Sequence, residues 1–299
     1  MLNKIIYTIL GFGAAVLFFP HVARDYAAQS LISGASTGPV AAVFSSSPEL
    51  SATQDAPVLT AKSALAVDLN SGAILYSKKI NERLPIASLT KLMTALVVLD
   101  RVDLDGVLVV PMDDLKIVGT SIGLVAGEKI TVRDLLKAML IPSSNDAALL
   151  LAYFTAGTEA DFVQLMNNKA TQMGLINTHF TNSVGWDIDD NYSDSLDLLK
   201  IAKEFLKYSE LSDITSTKET IIRSVDNKYS HQLTTTNKLL LDDPEVIGLK
   251  TGFTAKALGN LIALANHSGH KVLTIVLGSE NREDDSQKFL NWLFSVYKW

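Results

Sequence analysis

A serine and a lysine three positions apart, at the opening of an apolar helix, are the residues of this 299-residue chain best suited to covalent chemistry. They are Ser88 and Lys91, in the run Ala87-Ser-Leu-Thr-Lys-Leu-Met-Thr-Ala-Leu-Val-Val-Leu-Asp100. A serine hydroxyl is a poor nucleophile until a base removes its proton. Residues three apart share one side of a helix, so this pair can act as nucleophile and base. The plain reading of the same letters is a capping serine followed by a solvated lysine. Two further stretches tip the balance toward chemistry. Ser143-Ser-Asn145, after Pro142, puts a hydroxyl and a carboxamide two apart where a loop becomes a helix, although alone it reads as an N-cap. Gly248-Leu-Lys-Thr-Gly-Phe-Thr254 offers a cation at Lys250 and a hydroxyl at Thr251. Beside them Gly252, without a side chain, lets a substrate backbone come close, although alone Lys-Thr-Gly reads as a turn.

The elements that must position these residues follow from periodicity. Pro85 and Ile86 bring the chain in extended, and a helix starts near Ser88. From there Leu92, Met93, Leu96, Val97 and Leu99 recur at helical spacing and bury one face. Residues 63–69 and 70–76 are apolar runs around Asn-Ser-Gly, a hairpin signal. Residues 107–110 form a short strand. Residues 130–140 form a helix entered at the capping hydroxyl of Thr131, with Asp134 three residues on. Helices are also expected after Pro142 to Tyr153, at 159–173, at 195–208 and at 283–296. Strands are expected at 219–225, 261–266 and 271–277. Strands at both ends around a helical middle give an α+β fold, an antiparallel sheet flanked by helices with an inserted helical lobe.

Composition excludes several classes. With 26 Lys and Arg against 32 Asp and Glu, the net charge of -6 carries no nucleic-acid footprint. No cysteine means no disulfide framework, no thiolate nucleophile and no cysteine zinc site. His21, His179, His231, His267 and His270 are scattered and form no His-Glu-x-x-His run, so neither a metal nor a cofactor is expected. Residues 5–19, between Lys4 and Pro20, are an apolar run of signal-peptide length, short for a span of about 20 residues. Residues 1–25 are therefore expected to be a signal peptide or a membrane anchor, with the rest exported. Residues 26–58, rich in Ser, Ala, Thr, Gly and Pro, read as a flexible tether, and residues 59–299 as the catalytic domain.

In order and spacing, Ser88-x-x-Lys91, Ser143-x-Asn145 and Lys250-Thr-Gly252 resemble the three motifs of the serine penicillin-recognising enzymes. The likeness extends to Asp68-Leu-Asn-Ser-Gly, Pro85-Ile-Ala-Ser-Leu-Thr-Lys-Leu-Met-Thr-Ala, Ser143-Ser-Asn-Asp-Ala-Ala, Asn177-Thr-His-Phe and Gly185. From about residue 61 onward the chain resembles low-molecular-weight penicillin-binding proteins of the D-alanyl-D-alanine carboxypeptidase family.

That resemblance implies a β-lactamase/transpeptidase-like fold in which Ser88 attacks the carbonyl between two terminal D-alanines of a peptidoglycan stem peptide. An acyl-enzyme forms and water hydrolyses it. Lys91 would be the base, with its ammonium form disfavoured by burial and by Lys250 as a second cation. Ser143 would relay a proton to the leaving amine, Asn145 would hold a substrate amide, and Lys250 and Thr251 would receive the terminal carboxylate. Arg282 would face the same cleft, against a plain reading as a solvated helix start. The backbone N–H groups of Ser88 and Phe253 would form the oxyanion hole. The resemblance implies β-lactam antibiotics as inhibitors, a location outside the cytoplasm, and attachment to the membrane, if any, through the amino-terminal segment, since Trp299 follows the closing helix directly. One departure is Ala257-Leu258-Gly259, where the family usually has Ala-Gly, so the turn there is expected to be reshaped. A D,D-endopeptidase acting on cross-links remains open. A β-lactamase is disfavoured because no glutamate lies between Asn177 and Asp197 to activate water, and a silent wall-binding module because every chemical position is filled.

Overall fold

The computed structural model describes residues 47–52, 54–111, 118–187 and 190–299. The apolar run at 5–19 and the tether as far as residue 46 lie outside the described residues. The strands are β1 (Glu49–Leu50), β2 (Ser63–Asp68), β3 (Ile74–Lys78), β4 (Leu84–Pro85), β5 (Val107–Val109), β6 (Lys129–Thr131), β7 (Tyr192–Ser193), β8 (Glu219–Arg223), β9 (Ser230–Thr234), β10 (Val246–Thr254), β11 (Leu258–His267), β12 (His270–Ser279) and β13 (Tyr297–Lys298). The helices are α1 (Thr90–Leu99), α2 (Val132–Leu140), α3 (Asn145–Ala156), α4 (Glu159–Gln172), α5 (Ser195–Phe205), α6 (Ser209–Ser216), α7 (Lys238–Asp242) and α8 (Arg282–Val296).

Five strands form an antiparallel sheet in the order β10-β11-β12-β2-β3. Successive side chains of a strand point to opposite faces, and both faces here are covered. Leu273, Ile275 and Leu277 of β12, with Leu65 and Val67 of β2, join the core shared with α1 to α5. Val272 and Val276, with Ala64 and Ala66, join Phe289 and Leu293 of α8 on the other face. These strands therefore read as continuous apolar runs without alternation. The fold is the α+β arrangement expected, an antiparallel sheet between a closing helix and a helical lobe.

α1 is the axis of that lobe. Every residue from Thr90 to Val98 is buried, not one face only, so a lysine at position 91 has no solvent to reach. Thr131 caps α2 as expected, accepting from Asp134 N at 3.1 Å, while Ile130 belongs to β6 and pairs with Leu108. β9, α6 and α7 have no counterpart in the sequence reading. Two further differences matter for the site. Lys250-Thr251-Gly252, which reads locally as a turn, is the middle of β10, paired with Ile262, Leu261 and Asn260. Glu49–Leu50, inside the stretch read as tether, pairs with Tyr297–Lys298, and Ser51 N donates to Val296 O at 2.7 Å, so the chain is tied down ahead of Leu59. Among the described residues no helix is long and apolar enough to cross a membrane.

Candidate active site

Ser88 lies in a 3-10 turn, Ala87–Leu89, directly ahead of α1, and its side chain caps nothing. The backbone before it is unusual: Ala87 has φ +48°, a left-handed conformation that a residue with a Cβ adopts only when its surroundings hold it there. Two glycines do so. A Cβ on Gly252 would stand 2.9 Å from Ile86 O and 3.1 Å from Ser88 N, and one on Gly185 would overlap the Ala87 carbonyl. The glycine of the Lys-Thr-Gly stretch thus lets β10 press against the nucleophile's own turn. Asn260 fixes the approach from the sheet, donating to Pro85 O at 3.0 Å and accepting from Gly278 N at 2.8 Å.

Lys91 is 0% exposed, and its Nζ has three neighbours: Asn145 Oδ1 at 2.7 Å, Val184 O at 2.7 Å and Ser88 Oγ at 3.0 Å. Burial pushes its ammonium form well below the usual lysine range, and the Lys250 charge pushes it further. The neutral amine has two N–H donors and one lone pair. The amide and carbonyl oxygens can only accept, so they take both donors and leave the lone pair for the Ser88 hydroxyl. The geometry therefore fixes the orientation of the neutral amine toward Ser88.

Lys250, 2% exposed, donates to Ser143 Oγ at 2.8 Å and to Thr251 O at 3.1 Å. Burial first, and then the neighbouring Arg282 guanidinium, push its pKa down to about 7. Lys250 is thus bound to Ser143, not open to the cleft as a free cation. Ser143 itself has φ +67°, and since its oxygen accepts from Lys250, its own O–H is left to direct elsewhere. Asn145 is engaged at both ends, accepting from Lys91 and donating from Nδ2 to Val118 O at 2.6 Å. Only its second amide hydrogen remains for the substrate amide that the family pattern assigns to it. Arg282 is no solvated helix start: Nη1 donates to Gly252 O at 2.8 Å and Nε to Glu283 Oε1 at 2.8 Å. The Phe253 ring is 67% exposed at the cleft edge, beside the backbone N–H expected in the oxyanion hole. The departure at 257–259 also resolves. Leu258 takes the left-handed turn position at φ +57°, while a Cβ on Gly259 would lie 3.0 Å from Arg282 Cβ, so the close passage of β11 by Arg282 is kept.

All nine expected residues come from three stretches and α8. Hydrogen bonds join Ser88, Lys91 and Asn145, join Ser143, Lys250 and Thr251, and join Arg282 to Gly252, while the close approach of Gly252 to Ser88 N brings the first stretch against the third. Two contributors carry no local signal. Thr236, at the end of a polar run, shares a 2.6 Å hydrogen bond between hydroxyls with Thr251. Val184 contributes only its carbonyl, which no residue type announces. Among the described residues, no group of His, Cys, Asp and Glu could hold a metal ion.

Comparison with known proteins agrees with the geometry. A family model described as D-alanyl-D-alanine carboxypeptidase matches residues 50–281. D-alanyl-D-alanine carboxypeptidase DacF of Bacillus subtilis is 37% identical over 250 residues, which cover 80% of this chain and 63% of the relative. The chain thus spans less than two thirds of that relative's length. A D-alanyl-D-alanine endopeptidase of Escherichia coli is 32% identical over 250 residues, covering 81% of this chain and 79% of the relative. The solved Streptomyces K15 DD-transpeptidase superposes with a TM-score of 0.76 at 32% identity, over 81% of this chain and 100% of that one.

Proposed function

Because the chain belongs to the D-alanyl-D-alanine carboxypeptidase family, we propose that it is a serine peptidase removing the terminal D-alanine from peptidoglycan stem peptides. The observation that carries this is Lys91, buried and partnered so that its lone pair has only Ser88 to meet. Lys91 takes the Ser88 proton as Oγ bonds the D-alanyl carbonyl carbon. The oxyanion forms against the N–H groups of Ser88 and Phe253, a contribution of roughly 3 kcal/mol per donor in enzymes of this logic. Collapse breaks the C–N bond; Ser143, held by Lys250, passes its proton to the departing amine and takes back the one that Lys91 removed from Ser88, which leaves Lys91 neutral again. Thr251 and Arg282 receive the terminal carboxylate, with the Lys250 charge behind them. Water then attacks the acyl-enzyme, with Lys91 again as base. A β-lactam presents the same carbonyl and leaves an ester that this site, with no glutamate in the 177–197 segment, hydrolyses slowly.

Endopeptidase action on cross-links is the second reading, favoured by the endopeptidase relative, more of whose length is matched than of the Bacillus carboxypeptidase. The substrate's location and the apolar run at 5–19 support an enzyme working outside the cytoplasm, either held to the membrane through its amino-terminal segment or secreted after that segment is cleaved. The test is to incubate the full chain with fluorescent penicillin, with a pentapeptide ending in D-Ala-D-Ala, and with a cross-linked peptide dimer. Penicillin label with D-alanine release supports the carboxypeptidase. Label with dimer cleavage but no D-alanine release moves the assignment to the endopeptidase. No label and no cleavage overturns both.

A further inference from the structure

One loop touches α1, the turn of Ser88, the Val118 carbonyl that Asn145 also holds and the turn after β10, yet belongs to none of the three motifs. Ser183 O accepts from Thr94 Oγ1 at 2.6 Å on α1, and Val184 O accepts from Lys91 Nζ at 2.7 Å. Gly185, at φ +91°, is packed against the Ala87 carbonyl and Ser88 N. Trp186 Nε1 donates to Val118 O at 3.0 Å, the same carbonyl that Asn145 Nδ2 holds at 2.6 Å. Asp187 accepts from Thr254 Oγ1 at 2.6 Å and from Lys256 N at 3.0 Å, gripping the turn that leads from β10 into β11.

The loop has a single internal hub, Asn182, which is 4% exposed. Its Oδ1 accepts from the backbone N–H of Gly185 at 2.6 Å, Trp186 at 2.9 Å and Val184 at 3.2 Å, and its Nδ2 donates to Trp186 O at 3.2 Å. Three converging N–H groups on one oxygen curl the backbone so that the Val184 carbonyl turns away from them. It turns toward Lys91. We infer that Asn182 is a positioning residue for the general base: by curling residues 184–186 it aims the Val184 carbonyl at Lys91 Nζ and so holds the lone pair on Ser88. The inference rests on the serine-peptidase reading and adds to it a residue that never meets substrate.

The charged groups around Lys91 let the inference be tested by pH. Lys250 of β10 acts on it directly, and Arg282 of α8 stands behind Lys250. Asp146 of α3 is turned to the amides of Gly123 and Leu124, and Glu159 of α4 to the N–H and O–H of Ser183. None of these is altered by a change at 182. In Asn182→Ala the carbonyl loses its aim, so the plateau rate of penicillin acylation falls about 10- to 100-fold. The acid limb of the rate against pH also moves down by on the order of half a unit, because the ammonium loses an acceptor that favours it. Asn182→Asp keeps an oxygen for all three N–H groups but adds a negative charge. It restores the plateau to within about 3-fold of wild type and moves the acid limb up.

The experiment is stopped-flow acylation by a fluorescent penicillin from pH 5 to 10 on the full chain and both variants, with circular dichroism confirming folding. Opposite limb shifts with rescue by Asp support the inference. An Ala variant with the wild-type plateau overturns it. So does one in which the labelled fraction falls while the limb stays in place, since that is a structural role alone. If the wild-type chain itself acylates nowhere in this range, the peptidase reading fails and not merely this one.

Discussion

Two buried charge sites, one in the cleft and one where the segment ahead of β2 meets α8, solve the same problem in opposite ways. Asp285, 1% exposed, accepts from Thr60 Oγ1 at 2.7 Å, Thr60 N at 3.1 Å, Ala61 N at 2.9 Å and Ser279 Oγ at 2.6 Å. Burial raises its pKa, but these donors outweigh that and hold the carboxyl below its ordinary value. Charge and donors match, and the result ties the start of the folded chain to β12 and α8. In the cleft, Lys91 and Lys250 are buried against each other and against Arg282, and both are held below the ordinary lysine range. A matched charge fastens the fold, whereas a mismatched one is kept ready to lose a proton. Chemistry resides where the charges are left unbalanced.

The sharpest way to break this contrast is Lys91→Ala. Removing the base lowers penicillin acylation on the order of 1,000-fold or more. Stability changes little by comparison, because removing an amine that is costly to bury offsets the two acceptors left open at Asn145 and Val184. Asp285→Ala gives the reverse pattern. Thr60 N and Ala61 N lose their acceptor, and the fold loses about 3 kcal/mol. The acylation rate per folded molecule stays as in wild type. Urea melts and single-turnover labelling on both variants decide it; a Lys91 variant that melts as early as the Asp285 variant would sink the distinction.

The two sites also part company in their response to pH. A group with a depressed folded pKa binds fewer protons folded than unfolded in the window between its two pKa values. For Lys250 that window runs from about 7 to the unfolded lysine value of about 10.4, and there stability rises with pH. For Asp285 the window lies below the unfolded value of about 3.9, where stability is lost as pH falls through the lower folded value. Melting temperatures taken at pH 7 and pH 9.5 check the first window. Lys250→Met should shrink that rise without abolishing it, since buried Lys91 contributes in the same direction, and leave the acid limb of Asp285 untouched; a rise as steep as in wild type contradicts the account.

What the sequence reveals divides along the same line. Ser88, Lys91, Ser143, Asn145, Lys250, Thr251 and Gly252 are legible because each stretch is short and its side chains do the chemistry. Asn182 and Val184 are not, because a carbonyl and the amide that curls it depend on a loop whose letters carry no period. Lys250-Thr251-Gly252 reads as a turn because Gly248 and Gly252 are turn residues locally; only the contact of Gly252 with Ser88 N explains a glycine inside a strand. The sheet is legible as apolar runs, and its order is not, since its inner strands β2, β11 and β12 are buried on both faces and nothing in their letters tells one neighbour from another. β1 is missed because two exposed residues pair with the far end of the chain.

The smallest effect concerns the side of the cleft to which the proposed function brings the carboxylate. The Thr236 and Thr251 hydroxyls are 2.6 Å apart and either can donate. A bound carboxylate settles the direction, since it only accepts: Thr251 must give its proton to the substrate and take one from Thr236. On the proposed function Thr236 thus polarises the hydroxyl that meets the carboxylate, without bearing charge itself. Thr236→Val keeps the shape and removes that one donor, a loss of about 1 kcal/mol, so KM for a D-Ala-D-Ala peptide rises about 5-fold at unchanged kcat. Acylation by a β-lactam ester that lacks the free carboxylate should not respond at all. If both ligands weaken together, Thr236 is shaping β10 instead, and the carboxylate belongs nearer Arg282.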